Sequence, residues 1–494
     1  MSNTSTHKTR FYSSFFKDLS LYAIEPIVSK IISFLLIPLY TSYLLPAEFG
    51  NLQYVMSIGA FLRSFSQMGM NTAFWKFRNA QSEENQSSVS LSLLSSQIYL
   101  ALIVLIGLLV FYFSFDQRPI LTALLLVYFG ALSIKVISEN ALLLARADRK
   151  PKKYLQISLL QTFILFGANY LFVAILDRGV WGVVYAYMSS FTLIGILYFP
   201  YLQKSFSHKH DWKLTIKMLK FGFPVMMANF SLLLLSLSDR WFLKTFTTDH
   251  ELGLYSYTYK YADLIATFIV YTFQMAWTPI AWKIFNREDG PVYFASMKRM
   301  IYIFFPFTCF VGVFIVTLLA KLMTVDSTYM DGFEIIICLA FSHVFYGFYL
   351  YYNTTLLFKN KQTLSLIINL SVGAFTIALN FLIIPHFGMK GAAWSTFVSY
   401  LALFIFIKSI SSIWYKHPSN FWKEIIVIFS MISAVGVVYY CYQLNIPIYL
   451  KAASSLFIGI LYICGLQLSG YISIRFLKQQ FQTLLRARKS TENE

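Results

Sequence analysis

Seven charged side chains sit inside long apolar runs of this 494-residue chain: Glu25, Lys30, Arg63, Lys135, Glu139, Lys260 and Asp263. A charge at the centre of a membrane-crossing helix costs about 2.5–3.5 kcal/mol, so seven without partners would cost roughly 20 kcal/mol. Such groups must face the protein interior or water. Lys135 and Glu139 are four residues apart, and Lys260 and Asp263 three apart. Each pair shares one helix face and can neutralise itself. The alternative use of the same pairs is a proton or sodium site, in which the cation competes with the lysine. Glu25 and Lys30 are five apart, about 140° around a helix, so they do not pair. Glu25 precedes Pro26, whose missing N–H frees a carbonyl and can kink the helix. A carboxylate beside a kink is a candidate ion-coupling group. Arg63 has no acid three or four residues away and cannot shed its proton. It needs an anionic partner, either Glu25 or a bound phosphate group, which its planar fork of donors fits. Asp239-Arg240 is expected to form a salt bridge at the mouth end of a helix. The candidate substrate-binding residues are therefore Arg63, Lys30, Lys260, Lys135 and Arg240. The candidate ion-coupling residues are Glu25, Glu139, Asp263 and Asp239.

The elements that hold these residues are membrane helices. The chain is 57% hydrophobic and only 13% charged, against about 25% charged in soluble domains. Apolar runs recur from Leu19 to about Ile474, each long enough to cross roughly 30 Å of hydrocarbon. Fourteen helices are expected, near 20–43, 52–74, 89–113, 119–145, 154–176, 180–201, 214–237, 253–280, 297–320, 333–357, 363–385, 391–410, 422–442 and 447–472. Helix is the required form because a backbone in lipid must satisfy its own hydrogen bonds, and the runs lack the alternation of a barrel. The net charge of +18 reads as topology rather than nucleic-acid binding. Most Lys and Arg fall on one side when both termini are placed in the cytoplasm, as the positive-inside rule requires. The densest such loop holds Arg146, Arg149, Lys150, Lys152 and Lys153. The longest external loops, around Lys244–Leu252 and Lys321–Gly332, are too short for a soluble domain. Met1 to Asp18 is polar and no cleavable signal is expected. The four cysteines, all in apolar runs, read as packing residues.

A weak internal repeat runs through the chain. Glu48-Phe49-Gly50 with Tyr54 is matched by Glu251-Leu252-Gly253 with Tyr257. Asn169-Tyr170-Leu171 is matched by Asn380-Phe381-Leu382, and Gly179-x-x-Gly182 by Gly388-x-x-Gly391. These landmarks fall on the second, fifth and sixth helices of two six-helix units with the same orientation. Parallel repeats of this kind predict two lobes about an axis along the membrane normal, with a central cavity. The expected organisation is a cytoplasmic tail over 1–18, an N-lobe over 19–202, a C-lobe over 203–410, two extra helices over 411–474 and a second cytoplasmic tail over 475–494. Pro385 is expected to end the eleventh helix.

Several segments carry a family resemblance. They are PAEFGNLQYV from Pro46, QMGMNTAFWKF from Gln67, LARADRKPKKY from Leu144 to Tyr154, DRWFLKTFTTDHELGLYSYTYKYAD from Asp239 to Asp263, and LNFLIIPHFGMKGAAWSTFVSY from Leu379 to Tyr400. Together they resemble the polysaccharide flippases of the O-antigen (Wzx-like) and capsule-export type, in the superfamily that includes multidrug (MATE) exporters and lipid II flippases. The resemblance implies a carrier in the bacterial cytoplasmic membrane. It would flip an undecaprenyl-diphosphate-linked oligosaccharide from the inner to the outer leaflet by alternating access, in O-antigen, capsule or exopolysaccharide synthesis. The anion that Arg63 would meet is then a diphosphate. Membrane lipids and possible polymerase or glycosyltransferase partners are implied, with no cofactor, metal or nucleic acid. Two alternatives are a multidrug or cation antiporter of the same fold and a membrane glycosyl polymerase. Antiporters usually have twelve helices, and a polymerase needs a large external loop that is missing here. GxxxxGK[ST], HExxH and GxSxG motifs are absent, so a transporter without its own ATP hydrolysis is expected rather than an enzyme.

Overall fold

The computed structural model describes residues 28–79, 86–115, 119–203, 210–285, 287–288, 290–415 and 421–469. Among these residues the chain is helical, without strands. The helices are α1 (Val28–Tyr43), α2 (Pro46–Gln67), α3 (Met70–Asn79), α4 (Gln86–Phe115), α5 (Pro119–Ala147), α6 (Pro151–Asn169), α7 (Gly179–Gln203), α8 (Trp212–Leu237), α9 (Asp239–Phe246), α10 (Asp249–Ala266), α11 (Thr272–Ile284), α12 (Gly290–Met323), α13 (Ile336–Phe358), α14 (Gln362–Trp414), α15 (Phe421–Gln443) and α16 (Ile448–Leu468). Eleven helical segments are long and apolar enough to cross a membrane. One of them, α14, is two crossings joined at Gly388, whose backbone is non-helical (φ 54°, ψ −137°). With α1 and the α2–α3 pair, the chain makes fourteen crossings, as the apolar runs require.

The differences from the expected boundaries have local causes. The second crossing starts at Pro46 rather than 52, because Pro fits the first helical turn and Glu48 accepts the Leu45 N–H at 3.0 Å. The eighth starts at Asp249, where the Thr248 hydroxyl accepts the Glu251 N–H. The loop expected over 244–252 therefore shrinks to Thr247 and Thr248. Pro385 does not end its helix; the chain stays helical to Phe387 and breaks at Gly388.

The repeat is visible as repeated contacts. Glu48, at the start of the second crossing, faces Gly179 at the start of the sixth. Glu251, at the start of the eighth, accepts the Met389 N–H at 3.2 Å, beside Gly388 at the start of the twelfth. Asn169 accepts a hydrogen bond from Tyr40 of the first crossing at 2.8 Å. Its counterpart Asn380 donates to Ser238 in the seventh at 3.2 Å and accepts from Ser395 at 2.5 Å. The two six-helix lobes thus use the same polar clasps, and α15–α16 pack outside them against α12 and α13.

Large apolar side chains such as Ile103, Ile196 and Phe429 point outward, as they do on a lipid-facing surface. The largest buried cluster centres on α10, α12, α13 and α14 and continues into α2 and α5. On α10, Tyr255, Tyr257, Tyr259 and Tyr261 are all buried. Residues two apart on a helix lie about 200° apart, so α10 is packed on opposite faces, between α2 and the rest of the C-lobe.

Candidate functional site

A cavity of about 660 Å³ lies between the lobes. Its walls come from α2 and α3 on the N-lobe side and from α8, α9, α10, α13 and the second half of α14 on the other. The lobes touch on both sides of it. On the face that carries Arg146 to Lys153, which we call the basic face, Gly69 at the α2–α3 break lies against Gly222 of α8. A Cβ on Gly69 would fall 2.2 Å from the Gly222 carbonyl oxygen. Met70, Ala73 and Phe74 of α3 close this side against Leu214 and Met218 of α8. On the far face, a Cβ on Gly253 would stand 1.8 Å from the Pro46 carbonyl oxygen, and one on Gly50 would stand 2.4 Å from that of Asp249. Glycine is needed at both because the backbones of α2 and α10 are in direct contact. Around that contact Lys244 Nζ donates to Asn51 Oδ1 (2.5 Å) and Asp249 Oδ1 (2.6 Å), and Asn51 Nδ2 donates to Asp249 Oδ2 (3.1 Å). The repeat glycines of the second and eighth crossings are thus the place where the lobes meet.

The cavity wall carries Arg63, Arg240, Lys260 and Asp263 among its charged groups, with amides and hydroxyls from Gln53, Gln67, Asn71, Asn229 and Ser236. Arg63 is ion-paired with Glu139 of α5, and that carboxylate also meets Lys135 at 3.5 Å. The Lys135–Glu139 pair read from spacing is present. What spacing missed is that Glu139 serves Arg63 as well, so Arg63 has a partner within the protein and does not depend on Glu25. Gln67 donates to Glu139 at 3.1 Å and completes the set. Glu139 and Lys135 are not among the residues of the wall, and Lys135 is over the Phe191 ring.

Arg240 and Asp239 form a salt bridge at 2.9 Å, as expected, but in a different place. The seventh crossing continues past them as α9 to Phe246, so the pair is buried inside the protein instead of lying at the mouth. Asp239 is filled by the Arg240 side chain, by the Arg240 N–H at 2.8 Å and by the Tyr255 hydroxyl. Arg240 projects over the Tyr259 ring, 4.5 Å from its centroid, and reaches the cavity.

Lys260 and Asp263 do not pair with each other. Asp263 accepts from Lys30 Nζ at 2.8 Å, a bridge from α1 in one lobe to α10 in the other. Lys260 lies 5.8 Å over the Phe49 ring and, like Asp263, lines the cavity. A π turn over Thr267–Tyr271 follows Asp263 and turns Tyr271 toward the cavity. Such single-turn widenings recur at functional sites. Glu25 lies outside the described residues.

His343, Tyr259, Tyr346 and Tyr400 also line the cavity and were not among the sequence candidates. His343 gave a signal that the charge count passed over: it is a lone imidazole in the middle of the apolar run 333–358.

The chain resembles known proteins in both sequence and shape. A family model described as "Polysaccharide biosynthesis protein" matches residues 15–285. No curated protein matches the sequence significantly. Among solved structures, the lipid II flippase MurJ in an inward closed conformation superposes with a TM-score of 0.69 at 15% identity, covering 94% of this chain and 99% of that one. A multidrug resistance MATE family transporter of the MOP superfamily, in an inward-facing conformation, gives 0.61 at 14% identity, covering 79% of this chain and 96% of that one. These similarities establish the fold, and the match over more than half of the sequence establishes that the chain belongs to the polysaccharide biosynthesis protein family.

Proposed function

We propose that this protein carries a polyprenyl-diphosphate-linked oligosaccharide across the bacterial cytoplasmic membrane, from inner to outer leaflet, by rocking its two lobes about the central cavity. The observation that carries the reading is the arrangement of charge around that cavity. Arg63, Arg240 and Lys260 line it, while Glu139 and Asp239, the partners of the two arginines, are not part of its wall. Only Asp263 adds a negative charge to the described wall. The balance favours an anionic cargo, and two guanidinium forks suit phosphate oxygens in particular. The amides and hydroxyls around them suit sugars, which need hydrogen bonds in a wet cavity. The lipid tail stays in the bilayer. The basic face is then cytoplasmic and the Lys244–Asn51–Asp249 face external, with both termini in the cytoplasm.

The same charge balance counts against an organic cation as cargo, so the antiporter reading is the weaker one. Reconstitution in vesicles with a fluorescent polyprenyl-diphosphate sugar tests the proposal. The wild type should expose the label to an external quencher or lectin within minutes. Arg63→Gln and Arg240→Gln should each slow this at least tenfold while leaving the protein folded. Wild-type rates in both variants, or transport of a cationic dye in place of the glycolipid, would rule the proposal out.

A further inference from the structure

His343 stands apart from every other group in the cavity. It is 5% exposed, lines the cavity, and both ring nitrogens lack a hydrogen-bond partner in the structure. A buried imidazole with two open nitrogens is costly for a structural residue, because each desolvated polar atom costs free energy with no return. Its neighbours supply a use. The rings of Tyr259 and Tyr400 pack beside it, at centroid distances of 5.8 and 6.0 Å. The charges acting on it are those of Asp263 and Lys30, the pair that bridges the lobes. The titratable and charged groups around it are Tyr259, Lys260 and Asp263 on α10, Tyr271 in the π turn, Lys30 on α1, Tyr400 on α14, Tyr346 on its own helix and, across the Tyr259 ring, Arg240 of α9 with its partner Asp239. The tyrosines stay neutral at physiological pH and the Asp239–Arg240 pair sums to zero, so the remaining local charge comes from two lysines and one aspartate.

We propose that His343 is a proton-binding site that controls the Lys30–Asp263 bridge, and so the junction of the two lobes. With neutral His343 the cluster of Lys30, Lys260 and Asp263 carries one net positive charge, and Asp263 holds Lys30. A proton taken from the aqueous cavity onto the free ring nitrogen raises that to two. Three cations then share one carboxylate. Lys30 is the one that can leave: it belongs to the other lobe, and its side chain is 41% exposed, so water can solvate it. Asp263 turns to the imidazolium, and α1 is released from α10. Loss of the proton restores the bridge. Protonation therefore favours separation of α1 from α10, and rising pH favours their contact. Imidazole is the side chain whose charge changes nearest the pH range a cell presents.

The test contains no lipid-linked sugar, so its result is independent of the cargo proposed above, although the meaning of the switch as a coupling device rests on that reading. Spin labels are placed on cysteines at Ser42 and Thr245, which are exposed at the far-face ends of α1 and α9. Cys441 and Cys464 are replaced by Ser, and the full chain is held in lipid nanodiscs. Distance distributions are then recorded by double electron–electron resonance from pH 5 to 8. The expected result is a second population that grows as pH falls across this range. In His343→Gln it should stay at its pH 8 level throughout. In Asp263→Asn, which has no charge to hold Lys30, it should be present at every pH. His343→Asn serves if the Gln variant does not fold. A pH transition unchanged in the His343 variants, or an Asp263→Asn protein that stays in the pH 8 distribution, would overturn the proposal.

Discussion

For Arg63 and Glu139 the contribution to stability can be separated from the proposed contact with cargo. Their side chains are 16% and 26% exposed, so the pair is only partly shielded, and Arg63 lines the cavity. Removing one member of a fully buried pair costs about 3–5 kcal/mol, because the other is left uncompensated. With this partial exposure about 1–2 kcal/mol is expected. Arg63 cannot escape by losing its proton, so Glu139→Gln leaves a bare cation facing the cavity. That variant should melt several degrees lower than the wild type but keep its hold on a diphosphate. Arg63→Gln should lose transport, with a smaller drop in melting temperature, because Glu139 still has Lys135 and Gln67. The double variant should recover part of the stability and none of the transport. Thermal unfolding in detergent, set beside vesicle transport rates, separates the two effects through a double-mutant cycle. A Glu139→Gln protein with wild-type melting and no transport would instead make the carboxylate the working group.

At the scale of elements, the decisive contact is backbone against backbone. The α2–α10 junction has no room for a methyl group at Gly253, where the nearest atoms belong to the Pro46 backbone and cannot rotate away. Overpacking of this kind costs about 1–3 kcal/mol. Gly253→Ala should therefore push the far-face ends of the two helices apart. A cysteine at Ser57, buried on α2 where its hydroxyl accepts from Trp241 Nε1 at 3.2 Å, should react with a membrane-impermeant maleimide in the Gly253→Ala background and resist it otherwise. Equal protection in both would mean that the helices absorb the methyl without parting. The importance of Gly50 and Gly253 could be read from the repeat, since both sit at the same place in the two copies. The helices were legible too, because apolar runs near 20 residues leave little other choice. The α2–α3 break at Met68–Gly69 was not. It arises where α8 crosses close by, and no local rule marks such a crossing. The Gly388 break was displaced for a related reason. Pro385 has the expected signature of a helix end, but in a long helix the lost hydrogen bond can be tolerated, whereas a left-handed φ at Gly388 cannot be carried through helical geometry.

Across the whole molecule, the charge pairs are what the sequence concealed. Spacing can report only which residues share a helix face. It found Lys135–Glu139 and could not find Lys30–Asp263, whose partners are 233 residues apart, or Arg63–Glu139. It also paired Lys260 with Asp263, a contact the fold gives up for one between lobes. These inter-lobe contacts define what a carrier must break. The lobes meet at the Lys244–Asn51–Asp249 cluster on the far face and at α3–α8 on the basic face, where the Phe77 and Phe221 rings lie 6.2 Å apart. If the lobes rock, each junction must open in part of the cycle, and fixing either one must stop transport. A cysteine pair at Asn51 and Asp249 should form a disulfide under mild oxidation, given how closely the two backbones approach there, and cysteines at Phe77 and Phe221, whose native rings meet across the other junction, should be joined by a short bifunctional methanethiosulfonate. Each cross-linked protein should lose transport of the labelled glycolipid by more than tenfold and regain it on reduction. Only the form locked at Asn51–Asp249 should still admit an impermeant thiol reagent to a cavity cysteine at Asn229 from the basic side; the form locked at Phe77–Phe221 should admit it from the far side. Transport that survives either lock would mean that the cargo crosses without the two lobes separating at that junction.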